Sequence, residues 1–267
     1  MTIAYYIGKE ELCGDAGVLS LLGRLEHGRC GIYRVKSEDE LRDGTDMLLS
    51  FGGDGSFLSS SHIVARKQIP LLGVNMGRLG FLSENGPGDV ADAILNRLYR
   101  IEERELLQVS GIEGEFPYAL NEISVSRVNA AMLGVNVRLN SEELPTFWVD
   151  GVLVSTSSGS TAYSLSVGGP ICTPDAKVII IAPISPHNLN LRPLVVPQNA
   201  SIGISLKARD AEAALTIDNH TYSLPSDADV VIKEAPVRLR KVCLDKSNFI
   251  DALRTRLFWG EDVRNTE

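Results

Sequence analysis

Several things are missing from the 267-residue chain, and each absence removes a class of function. No apolar run approaches the roughly 20 residues of a membrane-spanning helix. Residues 1–9 carry no basic flank and no cleavage-like stretch, so the expectation is a cytoplasmic protein with no membrane partner. Basic charge is not in excess: 26 Lys and Arg stand against 34 Asp and Glu, a net charge of -8, which argues against nucleic acid as a partner. Cys13, Cys30, Cys172 and Cys243 are scattered, as are His27, His62, His187 and His220, so neither a zinc site nor a dithiol redox centre is expected. There is no internal repeat, low-complexity tract or Pro-rich linker. Aromatics are sparse at 6%, yet 44% hydrophobic and 22% charged residues remain the composition of a globular protein. The length suits one large domain or two ordinary ones.

The order of apolar patterns predicts two different halves. Residues 2–7, 31–35, 46–51 and 70–74 read as short buried strands, alternating with helices near 15–26, 56–67 and 89–98. Val18, Leu21, Leu22 and Leu25 supply the stripe of the first helix. Such alternation predicts an α/β domain with a parallel sheet over residues 1–104. From about Leu106 the period becomes two, clearest where Leu133, Val135, Val137 and Leu139 alternate with Met132, Gly134, Asn136 and Arg138. Further strands are expected at 152–155, 178–182, 202–206, 214–217, 230–233 and 237–242, making residues 105–245 an all-β sandwich. A last amphipathic helix, 247–257, with Phe249, Ile250, Leu253 and Leu257 on one face and Ser247 as N-cap, is expected to return to the first domain as part of 246–267.

The residues suited to chemistry lie at element ends. Gly52, Gly53, Asp54 and Gly55 follow a strand and open a helix, the arrangement in which backbone N–H groups approach phosphate and a carboxylate reaches substrate. The same turn serves equally if its glycines only satisfy backbone dihedrals and Asp54 caps the helix. A second glycine-punctuated loop, 73–82, could wall the same crevice. Six hydroxyl residues sit between Ser155 and Thr161, a density that suits a polyhydroxylated ligand, with Tyr163 able to lie against a purine. By composition that run could also be a solvated loop. Asp150 and Gly151 precede the strand that leads into that run, while Asn121 with Glu122, Pro186 with His187 before Arg192, and Asp218 are weaker signals: the Asn-Glu pair also suits a surface cap, Arg192 a satisfied loop cation and His187 a structural role.

Taken together and in order, these segments resemble the NAD kinase family, whose hallmarks are a GGDG turn, an Asn-Glu or Asn-Asp pair, and an Asp-Gly followed by a Gly-Ser-Thr-rich stretch. Gly159-Ser160-Thr161-Ala162-Tyr163 followed by Gly168-Gly169-Pro170-Ile171 is the most specific match. The GGDG turn alone is shared with lipid kinases of the same superfamily. The resemblance implies an α/β domain and a β-sandwich binding NAD between them, and transfer of the γ-phosphoryl group of ATP to the adenosine-ribose 2′-hydroxyl of NAD. It implies Mg²⁺ on the donor phosphates, no dedicated metal-ligand set, and a homodimer or homotetramer. Carried over by motif, Asp54 is the general base and Gly52, Gly53 and Gly55 cradle phosphate. Asn121 and Glu122 hold ribose hydroxyls, and Asp150 meets the nicotinamide side. Thr161, Ala162, Tyr163 and Ser166 line the adenine pocket, Ser158 also contacts NAD, and Ala182 and Ile184 are supplied by a partner subunit. The chain departs from the family pattern at Ser56 for Thr, at Ser157 for Pro, which is expected to loosen the turn, at Trp148 for Arg or Lys, and at Asn219-His220 for Gly-Gln. Trp148 is expected to pack over the ligand edge instead. A sensor that binds NAD(P) without turnover, or a lipid kinase, would be the alternatives.

Overall fold

A computed structural model describes residues 1–77, 80–112, 116–207, 212–245 and 248–261. The chain divides into two compact units, Met1–Glu103 with Leu239–Glu267, and Arg104–Arg238. The return to the first unit begins at Leu239 rather than at the expected residue 246. The reason is local: the two short strands expected at 230–233 and 237–242 are one strand, Asp229–Leu244, which passes through Pro236 without breaking.

In the first unit five strands pair in parallel, in the order 239–244, Leu71–Asn75, Met47–Gly52, Thr2–Ile7, Gly31–Arg34. Every residue of Met47–Gly52 is buried, which is what a central parallel strand covered on both faces requires. Its one polar member, Ser50, accepts from the Ser60 hydroxyl at 2.7 Å. The helix Ala16–His27 starts where Asp15 accepts from the N–H groups of Gly17 and Val18, and it buries Val18, Leu21 and Leu25. These join Ile3, Leu49, Phe51, Leu72, Val90 and Ile94 in one core, each large aliphatic contributing roughly 1.5–3 kcal/mol. The helix expected at 56–67 is Asp54–Val64, and the one expected at 89–98 is Pro87–Leu95. The terminal helix is Phe249–Leu257, capped by Asn248, whose side chain accepts from the Ile250 N–H; Ser247, the expected cap, lies outside the described residues. Its inward face also differs from expectation: Ala252 and Leu253 are buried while Ile250 is 45% exposed.

In the second unit all pairings are antiparallel. One sheet runs Leu194–Pro197, Val178–Ile184, Gly151–Thr156, Glu122–Arg127, Ala213–Ile217, His220–Leu224. The other is built on Phe147–Val149, Leu133–Leu139, Ile202–Leu206 and 229–238. Val125, Val152, Val154, Ile179 and Leu215 from the first sheet meet Val135, Val137, Ile204 and Ile232 from the second in a shared core. The expected alternation at 133–139 is therefore the inward face of a sandwich. The unit is not purely β: a 3-10 turn, Ser158–Thr161, and a short helix, Tyr163–Ser166, follow Gly151–Thr156. Among the described residues no helix is long and apolar enough to cross a membrane.

Candidate active site

In the first unit the GGDG turn sits at the carboxyl end of the strand Met47–Gly52. Gly52 has φ +144°, and a Cβ there would lie 2.1 Å from Ser56 Oγ, so glycine is required. Gly53 caps the following helix, and Asp54, at its first position, makes no capping bond, which removes the reading of Asp54 as a helix cap. Its carboxylate turns instead to the second glycine-punctuated loop. Oδ1 accepts from the N–H groups of Leu82 at 3.1 Å and Ser83 at 2.8 Å, and Oδ2 from that of Phe81 at 2.8 Å. Arg78 and Leu79 of that loop lie outside the described residues. The loop is anchored from behind by groups the sequence reading missed. Lys241, 3% exposed, donates to Glu84 Oε1 at 2.8 Å and to the Phe81 carbonyl at 3.4 Å. The Arg256 guanidinium lies 5.3 Å from the centre of the Phe81 ring. A cavity of about 480 Å³ beside this anchor is lined by Glu84, Asp89, Leu98, Asp251 and Arg256 and by none of the expected site residues.

In the second unit Asn121 and Glu122 are held through their backbone. Asp218 Oδ2 accepts from the N–H of Leu120 at 2.8 Å, and Oδ1 from those of Asn121 at 2.8 Å and Glu122 at 3.1 Å. From the other side Thr156 Oγ1 donates to the Leu120 carbonyl at 2.6 Å, and Ser155 Oγ and the Thr156 N–H donate to the Asn121 carbonyl. The Glu122 carbonyl accepts from the Asp218 N–H at 2.9 Å. Every backbone polar group of residues 120–122 is thereby satisfied. The side chain of Glu122 is less well served: Oε2 is buried without a partner. Burial first, and then the negative charge of Asp218, push its carboxyl up to about 8, against the lowering effect of the Tyr163 N–H.

The hydroxyl run is not a solvated loop. Ser155, Thr156, Ser157, Ser160 and Ser164 are buried, whereas Ser158, Thr161 and Ala162 are half-buried and Tyr163 and Ser166 exposed. The inward hydroxyls of Ser155, Thr156, Ser157 and Ser160 donate to the backbone carbonyls of Asn121, Leu120, Pro174 and Cys172. Ser157, expected to loosen the turn, donates from Oγ to the Pro174 carbonyl at 3.1 Å. Gly159 packs so closely that a Cβ would stand 2.2 Å from the Asn121 carbonyl oxygen.

Asp150 is engaged by Arg127, which the sequence reading did not identify, through Nε at 2.9 Å and Nη2 at 3.2 Å. Ala182 and Ile184, on Val178–Ile184, are buried within their own chain beside Leu153, Ile180, Val167 and Cys172. Trp148 covers Gly134 and carries the Lys207 ammonium 5.2 Å from its ring centre. Arg192 donates to the Leu189 and Leu191 carbonyls, a loop cation satisfied locally.

Residues 22–103 match the ATP-NAD kinase N-terminal domain and residues 120–241 the ATP-NAD kinase C-terminal domain. The chain is 39% identical over 241 residues to the NAD kinase of Flavobacterium psychrophilum, covering 87% of this chain and 82% of that protein. It is 41% identical over 240 residues to the NAD kinase of Porphyromonas gingivalis, covering 88% and 82%. Its structure is similar to the crystal structure of an NAD kinase from Archaeoglobus fulgidus in complex with ATP, with TM-score 0.78, 25% identity and coverage of 92% and 95%. On the strength of both domain matches and these relatives, the chain belongs to the NAD kinase family.

Proposed function

We propose that the protein transfers the γ-phosphoryl group of ATP to the adenosine-ribose 2′-hydroxyl of NAD, with Asp54 as the general base. The observation that carries this reading is the setting of Asp54. It stands at the carboxyl end of a parallel strand, where open α/β sheets receive ligands, and three amides fix its orientation. Oδ2 receives one of these N–H groups, and a carboxylate oxygen has a second lone pair to accept a proton. The hydroxyl then attacks the γ-phosphorus, its proton passes to Oδ2, and ADP leaves. Gly52, Gly53 and Gly55 offer backbone to phosphate. Phosphoryl transfer asks the protein mainly for positioning and charge neutralisation.

In the second unit, a protonated Glu122 both donates and accepts, which matches a sugar diol, and Asn121 adds an amide. Thr161, Ala162, Tyr163 and Ser166 would meet the adenine, Ser158 another part of NAD, and Asp150, oriented by Arg127, the nicotinamide side. Ala182 and Ile184 would act across a homodimer or homotetramer interface. Their burial in this chain limits them to presenting backbone or the edge of a side chain.

Mg²⁺ would come with the donor, because it commonly keeps substrate phosphates as ligands rather than a protein cage. When bound it neutralises phosphate charge. Incubation of the purified protein with NAD, ATP and Mg²⁺, followed by an NADP-specific dehydrogenase, tests the reading. NADP formation that stops on chelation supports it, and its absence at substrate saturation overturns it.

A further inference from the structure

Asp218 occupies a two-residue turn between Ala213–Ile217 and His220–Leu224, with φ +50°, a region in which Asp and Asn are tolerated. It is 8% exposed. Its side chain accepts from three successive amides, and its own N–H returns to the Glu122 carbonyl. We infer that Asp218 is a positioning residue for the acceptor nucleotide: its carboxylate sets the backbone of residues 120–122 and so the direction in which Asn121 and Glu122 project toward the sugar. The inference rests on the function proposed above.

The chemistry explains why a carboxylate is needed. Two oxygens on one carbon span three consecutive N–H groups, and a charged acceptor makes stronger bonds than a neutral one. An asparagine at the same place keeps the size but presents an NH₂ group to an N–H donor, so at least one bond becomes a repulsion. The carbonyl face of the segment is fixed separately by Thr156 and Ser155. Position 120–122 is therefore clamped from two sides by residues that sequence separates widely. Asp218 also supplies the negative charge facing Glu122 from the turn, while the Tyr163 N–H faces it from the short helix.

The test is Asp218→Asn assayed with each substrate varied in turn. Loss of a charge-assisted clamp corresponds to a KM for NAD raised roughly 10- to 100-fold, with the KM for ATP unchanged and kcat affected less than KM. Because the charge on residue 218 disfavours ionisation of Glu122, the pH at which NAD affinity changes in the alkaline range should also move down. Unchanged NAD KM in a folded variant overturns the inference, as does an equal rise in both KM values. If Asp218→Asn does not fold, the pair Thr156→Val and Thr156→Ser decides. The first removes the opposing anchor and should raise the NAD KM selectively, the second should restore it, and a wild-type KM in Thr156→Val contradicts the clamp. A wild-type protein that makes no NADP overturns the proposed function, and this inference with it.

Discussion

Asp218 Oδ1 accepts the backbone N–H of Asn121 at 2.8 Å across 97 residues of sequence. The first unit repeats the device: Asp54 Oδ1 accepts the N–H of Ser83 at 2.8 Å, 29 residues away. In both places a carboxylate gathers three consecutive amides. One clamp orients the proposed base itself, and the other orients the residues proposed to hold the sugar.

Asp54→Asn removes the proton acceptor and converts one oxygen of the clamp into a donor. The expected loss in kcat is on the order of 10²- to 10⁴-fold, together with about 1–3 kcal/mol of stability from the disturbed amides. Steady-state kinetics and denaturant unfolding on the same preparation separate the two effects. A folded variant with near-normal kcat would exclude Asp54 as the base.

Gly159→Ala places a methyl group against the Asn121 carbonyl, at 2.2 Å before relaxation, and against Ser155 Oγ, at 2.5 Å. Backbone must move, so a stability loss of roughly 1–3 kcal/mol is expected, with weaker NAD binding by calorimetry. Wild-type affinity would show that the Gly159 approach does not set the position of Asn121.

Glu122 makes stability depend on pH in a definite direction. Its carboxyl rises from 4.5 to about 8 on folding, so between those values the unfolded chain is ionised while the folded one holds the proton. The stabilisation present below pH 4.5 is lost as pH rises toward about 8. Glu122→Gln cannot ionise, so its stability relative to wild type should increase steadily across that window. Parallel unfolding curves for the two proteins from acid to pH 8 would contradict the buried, partnerless Oε2.

Lys241→Met removes the 2.8 Å partner of buried Glu84 and leaves the more distant Arg256, 3.9 Å away. Breaking such a pair costs roughly 3–5 kcal/mol, whereas Lys241→Met with Glu84→Gln should cost clearly less. Thermal unfolding of both variants checks this, and equal losses would deny the coupling.

Much of the fold was legible because burial writes directly into sequence. The strand Met47–Gly52 is apolar at every position but Ser50 and Gly52, and Leu133, Val135 and Val137 alternate as a sandwich face must. Pro236 concealed the single strand Asp229–Leu244, since proline ordinarily ends a strand. The face of the last helix was misjudged at Ile250, because periodicity gives a stripe but not its neighbours. At the site, motif residues such as Asp54, Asn121 and Glu122 could be named, but their restraints could not. Arg127, Thr156, Lys241 and Asp218 act on segments distant in sequence, and no local spacing encodes which amide a side chain will meet. The hydroxyl run shows the same limit: composition counts six hydroxyl residues, and only the fold decides which turn inward.

The position of the new phosphate is the most direct test of the account. Phosphorus NMR of the product formed from NAD, ATP and Mg²⁺ should show one added monoester on the adenosine ribose 2′-oxygen, appearing on the order of 10²- to 10⁴-fold more slowly when Asp54→Asn replaces the wild-type protein. A product phosphorylated elsewhere, or a wild-type protein that leaves NAD unmodified, would contradict it.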